Sequence, residues 1–423
     1  MLGSGALSLS HGDHAALRGD RGDALQLAMR IVTRIAEAMQ ARELLDVASA
    51  HVDGCLYHGR AGLDFARRLI EGGAQVAVPT TLNVSSLDLL HPELVRLDAG
   101  TTDEARALMQ AYVAMGCRPT WTCAPYQLAE RPSFGEHIAW AESNAIVFAN
   151  SVLGARTGRY GDFIDICCAV TGRAPAAGLH LDEERLARTV LRVEGLPPAL
   201  LRDDAAYAAI GHIAGGATGT DVPAIVGLPD TTTEDQLKAL GAAAASSGAV
   251  AMFHAVGVTP EAPTLEAATG GLEPTLDMTI DLRALRAARD ALSTVKAGAA
   301  VGSVSLGTPH HSAAELRRIA RLVEGRRLAV PVYVNTGRDV LAQVADEVDV
   351  LRGAGVTIVT DTCTYITPII ERVATPVVTD SAKWAWYAPG NLGFDVAFAT
   401  LEECVDSAEA GRLVRDAKAW GDD

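Results

Sequence analysis

Cysteines that follow predicted strands are the residues of this sequence best suited to metal chemistry. The strand-like run VTIV (356–359) stops at TDTC, which ends in Cys363, and Cys123 follows a shorter run in TCAPY. The carboxyl ends of parallel strands are where α/β proteins collect functional groups. Thiolates delivered there from distant segments could hold an iron–sulfur cluster, and an iron without a full ligand set could act as a Lewis acid.

The spacing of the cysteines leaves a second interpretation open. The seven cysteines are Cys55, Cys117, Cys123, Cys167, Cys168, Cys363 and Cys404. Neither Cys123 nor Cys363 belongs to a CxxC pair, which argues against a zinc ribbon or a thioredoxin-like motif. Cys167 and Cys168 are adjacent in a predicted short helix, where neighbours point about 100° apart, so only one of them could share a site with the others. Free cysteine is also commonly buried as a small hydrophobe.

The segment FGEHIAWAESNAIVFANSVLGART (134–157) predicts a helix with an unusual polar face. His137, Asn144 and Ser151 recur at i, i+7 and i+14, opposite an apolar stripe. Serine and asparagine are weak helix formers. Their accumulation therefore indicates contacts with a ligand, although a helix packed in a wet interface would show a similar pattern.

Short apolar runs alternate with amphipathic helical patterns along the chain. Strand-like runs occur in AQVAVPTTLN, RPTWTCAPY, VGSVSLGTPH and LAVPVYVNTG. Such alternation predicts α/β units with largely parallel sheets. Soft composition changes predict three subdomains, at residues 1–200, 201–328 and 329–423.

Composition narrows the class of protein. The chain has 423 residues, of which 49% are hydrophobic, and a net charge of −16 from 36 Lys+Arg against 52 Asp+Glu. This acidity argues against non-specific nucleic-acid binding, which rests on basic side chains. No run of about 18 apolar residues predicts a membrane span, and the first residues lack the pattern of a secretory signal. With its scattered cysteines, the chain is expected to be cytoplasmic and to lack a disulfide framework.

Several motifs together resemble one family. TCAPYQ, the 134–157 segment, TGRAPAAGLHLDEER, GTPHHS and TDTC look like the catalytic region of aconitase X, a divergent branch of the aconitase superfamily. The similarity runs in order over nearly the whole chain. It implies a multi-subdomain α/β architecture around a central cleft, an iron–sulfur cluster and a hydro-lyase (dehydratase) activity. It also implies a small swivelling domain, which is absent from this chain, and hence a heterodimer with a small aconitase-X-like subunit.

The resemblance assigns the cluster ligands and favours one branch of the family. It implies Cys123, Cys167 and Cys363 as ligands, with Cys168 as the alternative to Cys167. Archaeal members, which dehydrate mevalonate 5-phosphate, carry a cysteine where this chain has Thr308. Loss of one ligand and gain of another resembles the bacterial cis-3-hydroxy-L-proline dehydratases, whose cluster resembles a [2Fe-2S] type.

The resemblance also implies roles for polar residues near the motifs. Removal of the Cα proton and the 3-hydroxyl from cis-3-hydroxy-L-proline would give Δ1-pyrroline-2-carboxylate. Ser381 is a candidate base, and Lys383 could lower its pKa or act as the base itself; alternatively, the base comes from the small subunit. His310 is a candidate proton carrier. Lys383 and Arg156 are candidates for the substrate carboxylate, and Glu142 for its ammonium. The other expected substrate contacts are Tyr57, Thr81, Asn83, Ser85, Ser143 and Asn144.

Two other functions fit parts of the sequence. A mevalonate 5-phosphate dehydratase would need a phosphate pocket of basic side chains or backbone amides, and neither a glycine-rich P-loop nor a basic cluster accompanies the motifs. A non-catalytic iron–sulfur subunit that only binds a ligand is the second alternative. The polar residues at the strand ends and in the WAESN segment (residues 140–144) argue against it. A sensor does not need a group of polar side chains large enough to surround a substrate.

Overall fold

The computed structural model describes residues 7–421, which divide into two units. The first unit comprises residues up to 87 together with 97–186, and the second comprises 88–96 together with residues from 187 onward. The short segment 88–96 therefore belongs to the second unit, although it lies in sequence between the two parts of the first. No helix within the described range is both long and apolar enough to cross a membrane.

The first unit is built from short strands and helices. Its helices are α1 (His11–Arg18), α2 (Asp23–Ala38), α3 (Arg60–Glu71), α4 (Ala99–Ala114), α5 (Ser143–Phe148) and α6 (Ile164–Thr171). Its strands are β1 (Leu44–Asp46), β2 (Ala50–Val52), β3 (Thr80–Leu82), β4 (Ala139–Trp140) and β5 (Arg173–Pro175). Strands β3, β2 and β4 form a parallel sheet in that order, whereas β1 and β5 pair antiparallel.

The second unit contains the longer strands. Its helices are α7 (Asp204–Thr218), α8 (Glu234–Ser247), α9 (Leu265–Thr269), α10 (Leu282–Ala291), α11 (Ala313–Val323), α12 (Arg338–Leu341), α13 (Ala345–Gly353), α14 (Ala382–Leu392), α15 (Leu401–Ala410) and α16 (Ala417–Trp420). Its strands are β6 (Thr189–Val193), β7 (Pro223–Val226), β8 (His254–Ala255), β9 (Leu276–Ile280), β10 (Ser303–His311), β11 (Val332–Thr336), β12 (Val356–Val359), β13 (Val377–Thr379) and β14 (Val396–Phe398).

Both sheets of the second unit are parallel, with strand orders β8-β7-β6-β9 and β12-β11-β10-β13-β14. Every residue of β10 is buried, as expected for the central strand of a sheet. Valines and leucines from β10, β11 and β12 pack against α11, α13 and α15 in one hydrophobic cluster. The predicted α/β class with largely parallel sheets is confirmed; the division at residues 200 and 328 stays a prediction.

Two local predictions are wrong. RPTWTCAPY forms no strand: Arg118 makes an isolated bridge to Thr81, Trp121 has a positive φ of 46°, and a 3₁₀ turn begins at Pro125. The 134–157 segment is not one helix, because Ala139–Trp140 pairs with β2 as strand β4. The helix begins only at Ser143 and continues as a π-helical turn over Ala149–Leu153. Tertiary pairing with β2 outweighs the helical periodicity of this segment.

Helices α7 and α8 approach each other closely at glycines. A Cβ added to Gly211 would lie 2.0 Å from the carbonyl oxygen of Leu240, and one added to Gly215 would lie 2.4 Å from that of Ala244. Backbone atoms cannot move aside as a flexible side chain can. These glycines therefore allow the two helices to pack backbone to backbone.

We predict that Gly211→Ala lowers the free energy of unfolding by about 3 kcal/mol, because the added methyl group forces α7 and α8 apart. Gly216→Ala is the matched control, since a Cβ there meets nothing within 4 Å. That substitution should be neutral or stabilising by up to about 1 kcal/mol through helix propensity. Urea titrations measure both values, and equal effects would contradict the close-packing interpretation.

Candidate active site

The loop that carries Cys363 is held in an irregular shape by backbone hydrogen bonds. It follows β12, and Asp361 in it adopts a positive φ of 61°. The Thr362 N–H donates to the Thr360 carbonyl at 2.7 Å, and the Cys363 carbonyl accepts from the N–H groups of Ile366 and Thr367 at 3.0 Å. Cys363 is 1% exposed. The chain thus reverses immediately around the thiol instead of continuing the strand.

Asp88, from the 88–96 segment, anchors the start of this loop. Its side chain is 1% exposed. It accepts from the Thr360 N–H and hydroxyl, each at 2.9 Å, and from the N–H groups of Leu90 and His91 at 2.9 and 2.8 Å. One buried carboxylate therefore joins two distant segments of the second unit. Sequence reasoning missed Asp88, because nothing local marks a partner 272 residues away.

Asp361 forms a second anchor. Arg338 donates from Nε and Nη2 to its two carboxylate oxygens, each at 2.6 Å, and the Leu89 N–H donates to it at 3.1 Å. Bidentate arginine–carboxylate pairs fix geometry as well as charge. Thr360 and Asp361 therefore hold the loop backbone around Cys363, and Thr362 contributes a hydroxyl contact of 2.5 Å to Thr367.

His310 lies beside Cys363. A ring nitrogen of His310 and the Cys363 Sγ are within 4.8 Å of each other. The His310 Nε2 is 3.0 Å from the Thr362 carbonyl; because a carbonyl only accepts, this nitrogen carries the proton. Burial lowers the pKa of His310 to about 4, so the ring is neutral near pH 7. Sulfur and neutral imidazole donors fit a thiophilic metal group.

In the first unit, the polar residues of the WAESN segment surround the backbone of Cys123. Asn144 donates from Nδ2 to the Cys123 carbonyl at 2.9 Å, and its Oδ1 accepts from the Tyr126 hydroxyl at 2.5 Å. Asn144 also donates to Glu142, whose Oε2 caps α5 through the Ala145 N–H at 2.9 Å. Asn144 thus joins the WAESN segment to the backbone of Cys123.

Cys167 and Cys168 lie on α6 and are both buried. Burial raises the pKa of the Cys167 thiol well above its usual range, and the neighbouring Cys168 and Asp165 raise it further. The Cys168 thiol is raised by burial and by Asp165. Either thiol would have to lose its proton in order to bind a metal.

Ser381 and Lys383 open α14, directly after β13. The Ser381 Oγ accepts from the Trp384 N–H at 3.0 Å as the helix cap and donates to the Thr308 carbonyl. Lys383 is buried, with Nζ 6.0 Å from the centre of the Tyr365 ring. Ser381, Lys383 and Thr308 line a small cavity of about 30 Å³. A helix N-terminus stabilises negative charge, which suits a serine that acts as a base.

A buried charge cluster forms another wall of the cavity. The Glu315 carboxylate accepts from Lys238 and lies 3.2 Å from the His311 Nδ1, whose Nε2 is 3.5 Å from Asp380. Burial alone would raise the pKa of Glu315, but the charges of Lys238 and His311 outweigh it and hold that pKa well below its usual range. His311 in turn has a raised pKa: burial would lower it, and Glu315 and Asp380 outweigh that effect.

The carboxyl ends of the first unit's parallel strands bring Asp53, Asn83 and Glu142 together. The Asn83 N–H donates to the Val52 carbonyl, and the Ala141 N–H donates to the His51 carbonyl. The parallel register therefore continues past the strand ends. Asn83 donates from Nδ2 to Asp53. Burial raises the pKa of Asp53 to about 7, with a further increase from Glu142. Sequence reasoning missed Asp53, although its position directly after a strand was a usable signal.

Other expected substrate contacts are engaged in local interactions. The Ser85 hydroxyl turns back onto the backbone of Leu87, Tyr57 donates to Glu104, and Thr81 pairs with His51 at 2.8 Å. Thr81 lines a separate cavity of about 240 Å³, whose lining includes neither Asn83 nor Glu142. Arg156 donates to Asp182 and to the His180 carbonyl. The Ser143 hydroxyl lies 3.4 Å from Glu142.

Comparison with known proteins identifies the family. Family models described as Aconitase X first domain, second domain and third domain match residues 6–183, 187–290 and 301–410. The chain therefore belongs to the aconitase X family. The crystal structure of Thermococcus kodakaraensis aconitase X (holo-form) superposes with a TM-score of 0.85 at 33% identity, covering 95% of this chain and 100% of that one. The predicted family and fold class are both confirmed.

Relatives in two groups are similar over nearly the whole chain. The cis-3-hydroxy-L-proline dehydratase of Pseudomonas aeruginosa is 45% identical over 96% of this chain and 71% of that protein. The enzyme of that name from Hypocrea jecorina is 42% identical, over 95% and 69%. The phosphomevalonate dehydratase large subunit of Methanothermobacter thermautotrophicus is 36% identical, over 94% and 98%. The expected enzyme class is confirmed: the chain is a dehydratase, that is, a hydro-lyase.

We predict that Asp88→Ala lowers the free energy of unfolding by about 3 kcal/mol, because it leaves buried donors of Thr360, Leu90 and His91 unsatisfied. Asp349→Ala, at an exposed position of α13, is the matched control and should change stability by less than about 0.5 kcal/mol. Chemical denaturation followed by circular dichroism measures both. A small effect of Asp88→Ala would show that the Cys363 loop does not depend on this anchor.

Glu315 gives a pH-dependent prediction. Because its pKa is depressed in the folded state, its stabilising contribution is present above its unfolded-state pKa of about 4.3 and is lost as the pH falls below that value. Glu315→Gln should cost about 3 kcal/mol at pH 7, because it breaks a buried ion pair, and the cost should shrink on acidification. Unfolding curves from pH 7 to 3 measure this trend, with the exposed Glu324→Gln as control; a pH-independent cost would contradict it.

Proposed function

We propose that this chain is the large, catalytic subunit of an iron–sulfur-dependent dehydratase that converts cis-3-hydroxy-L-proline to Δ1-pyrroline-2-carboxylate. The observation that carries the proposal is the pattern of identities. Two relatives named cis-3-hydroxy-L-proline dehydratase are 45% and 42% identical to the chain, whereas phosphomevalonate dehydratase large subunits are 36% and 34% identical. Thr308, which replaces the cysteine of the archaeal pattern, supports the same branch.

The proposed cofactor is an iron–sulfur cluster of the [2Fe-2S] type, held by Cys123, Cys167 and Cys363. Support comes from the soft donors at Cys363 and His310, which lie within 4.8 Å of each other. When bound, the cluster would supply a Lewis acid for the departing 3-hydroxyl. Within the chain, Asp88 and Arg338 orient the Cys363 loop, and Asn144 orients the backbone of Cys123.

Ser381 and Lys383 are the proposed groups for the Cα proton. At the start of α14, a Ser381 oxygen that has lost its proton would keep the hydrogen bond from the Trp384 N–H and gain from the helix dipole. The Cα proton passes to the base, and the 3-hydroxyl leaves as hydroxide that takes up a proton from solvent to form water. The base later returns its proton to solvent, and the enamine tautomerises to the cyclic imine. His310, neutral near pH 7, could accept a proton in this sequence but does not carry one to donate from its Nδ1.

The candidate substrate contacts differ in how well the structure supports them. Lys383 is the stronger candidate for the carboxylate, because Arg156 already pairs with Asp182. Asn83, Glu142, Ser143 and Asn144 lie at or just beyond strand ends, where parallel sheets present ligands. Roles for Tyr57, Thr81 and Ser85 in substrate binding stay predictions.

A small aconitase-X-like swivelling subunit is the proposed partner. Archaeal relatives matched over 98% of their length are named large subunits. The seven cysteines are free thiols, which supports work in a reducing compartment such as the cytoplasm. The large-subunit proposal predicts that full activity needs both chains.

The proposed function is tested by anaerobic turnover. The chain, reconstituted with iron and sulfide and co-expressed with a small aconitase-X-like subunit, should form Δ1-pyrroline-2-carboxylate from cis-3-hydroxy-L-proline and should not act on mevalonate 5-phosphate. Cys123→Ser and Cys363→Ser should each lower kcat at least about a hundredfold, because each removes a thiolate ligand.

Cys117→Ser is the matched control. Cys117 is also buried in the first unit, where burial raises the pKa of its thiol to about 12, so its substitution should leave kcat within about twofold. Turnover of mevalonate 5-phosphate alone would show that the chain is a phosphomevalonate dehydratase instead. Iron bound with neither substrate turned over would support the ligand-binding alternative.

A further inference from the structure

Asp53 occupies the central position among the polar strand ends of the first unit. Strand β2 lies between β3 and β4, and neighbouring strands are about 4.8 Å apart. Asp53 directly follows β2 and Asn83 directly follows β3. The N–H groups of Asp53 and Gly54 donate to the Asp165 carboxylate at 2.7 and 3.1 Å, which fixes the backbone at this point. The Asp53 side chain is thus placed by a rigid element.

Asp53 and Asn83 each leave one acceptor oxygen without a well-formed hydrogen bond among the described residues. The Asn83 amide must direct Nδ2 toward the Asp53 carboxylate, because a carboxylate only accepts. Its Oδ1 therefore faces away; this buried oxygen interacts with the His51 ring but makes no well-formed hydrogen bond among the described residues, and Asn83 is 2% exposed. An unsatisfied acceptor at this depth costs free energy unless a ligand donates to it. Asp53 binds Asn83 through Oδ1, so its Oδ2 is available as a second acceptor.

Glu142 is less available than Asp53. Its Oε2 already accepts from the Ala145 N–H and from Asn144, and its Oε1 lies 3.4 Å from the Ser143 hydroxyl. Glu142 therefore contributes mainly its charge. The charges of Glu142 and Asp165 act on Asp53, and these three carboxylates are here called the acidic corner. Because these groups are all carboxylates, the acidic corner attracts a cation and repels a phosphate.

We propose that Asp53, assisted by Asn83, binds the ring ammonium of the substrate and selects amino-acid substrates over phosphorylated hydroxy acids. The proposal rests on the proposed function, since it takes cyclic amino acids as the substrate class. A protonated ring nitrogen carries two N–H donors and a positive charge. The two acceptors, Asp53 Oδ2 and Asn83 Oδ1, match the two donors, and the acidic corner matches the charge.

The test uses the holoenzyme with its small subunit and a pair of non-reacting ligands. L-proline has the ring nitrogen, and cyclopentanecarboxylate has the same ring without it. The wild type should bind L-proline at least about tenfold more tightly, the gain expected of a charge-assisted hydrogen bond. Asp53→Asn keeps the side-chain shape and an acceptor for Asn83; it should weaken L-proline binding about tenfold or more and leave cyclopentanecarboxylate within about twofold.

Asp162→Asn is the matched control, because it removes one negative charge near Asp53 at an exposed position outside the acidic corner and the strand ends. It should change L-proline affinity by less than about threefold, since exposed charges are screened. Asp53→Ser provides a second variant if Asp53→Asn is poorly folded. Equal loss of both ligands in the Asp53 variants, or an equal effect of Asp162→Asn, would overturn the role of Asp53.

The pH dependence of L-proline binding to the wild type is an independent test of the role of Asp53. The titratable groups facing Asp53 are Glu142, Asp162, Asp165 and the buried Cys55. Because burial raises the pKa of Asp53 to about 7, its charge and the L-proline affinity should fall as the pH drops from 8 to 6, over a range in which L-proline stays protonated. This decline should be absent in Asp53→Asn; its persistence there would overturn the proposal.

These binding measurements separate the two hypotheses. If the holoenzyme prefers L-proline through Asp53 but does not dehydrate cis-3-hydroxy-L-proline, the proposed reaction fails and the ammonium site stands. If turnover is found but L-proline and cyclopentanecarboxylate bind equally to the wild type, the reaction stands and the ammonium site fails.

Discussion

Parallel strand pairing is the constraint on which the candidate active site depends. In a parallel sheet every strand must end at the same edge, so the residues that follow the strands meet there whatever their separation in sequence. In the first unit this brings Asp53 and Asn83 together. In the second unit β10, β12 and β13 end in the segments that carry His310, Cys363 and Ser381. The chemistry of each unit is thus set by a few residues at strand ends, and the strands themselves supply only the frame.

The buried carboxylates of this protein fall into two groups, those that position the backbone and those that are free to bind a ligand. Asp88, Asp361 and Glu315 are buried carboxylates whose oxygens are satisfied by backbone N–H groups, arginine or lysine. Such groups hold loops and helix ends in place. Asp53 differs, because only one of its carboxylate oxygens is engaged by Asn83 and the other is left for a ligand. The same type of side chain therefore serves as a structural anchor or as a binding group according to its hydrogen-bond partners.

The sequence predicted the α/β class and the position of Cys363 just beyond β12, because local patterns of apolar residues mark parallel strands well. It failed where distant pairing decides the local structure. The 134–157 segment has helical periodicity, yet Ala139 and Trp140 join β2 as a strand. Asp88 was missed for the same reason, because its partner Thr360 is distant in sequence. Asp53 was missed although its position directly after β2 is a local signal. Glu142 and Asn144 were singled out as candidates because the pattern that marks them is local, and they contact each other.

The 88–96 segment has a consequence for biosynthesis. It is made early, within the residues of the first unit, but Asp88 binds Thr360, which emerges from the ribosome 272 residues later. Until Thr360 has been synthesised, the Asp88 carboxylate must remain hydrated. Residues 88–96 then lack the part of the second unit to which they belong. The Cys363 loop can therefore acquire its final shape only near the end of translation. Any metal group that requires this loop must be inserted after synthesis of most of the chain, by a process that recognises an almost completely folded protein.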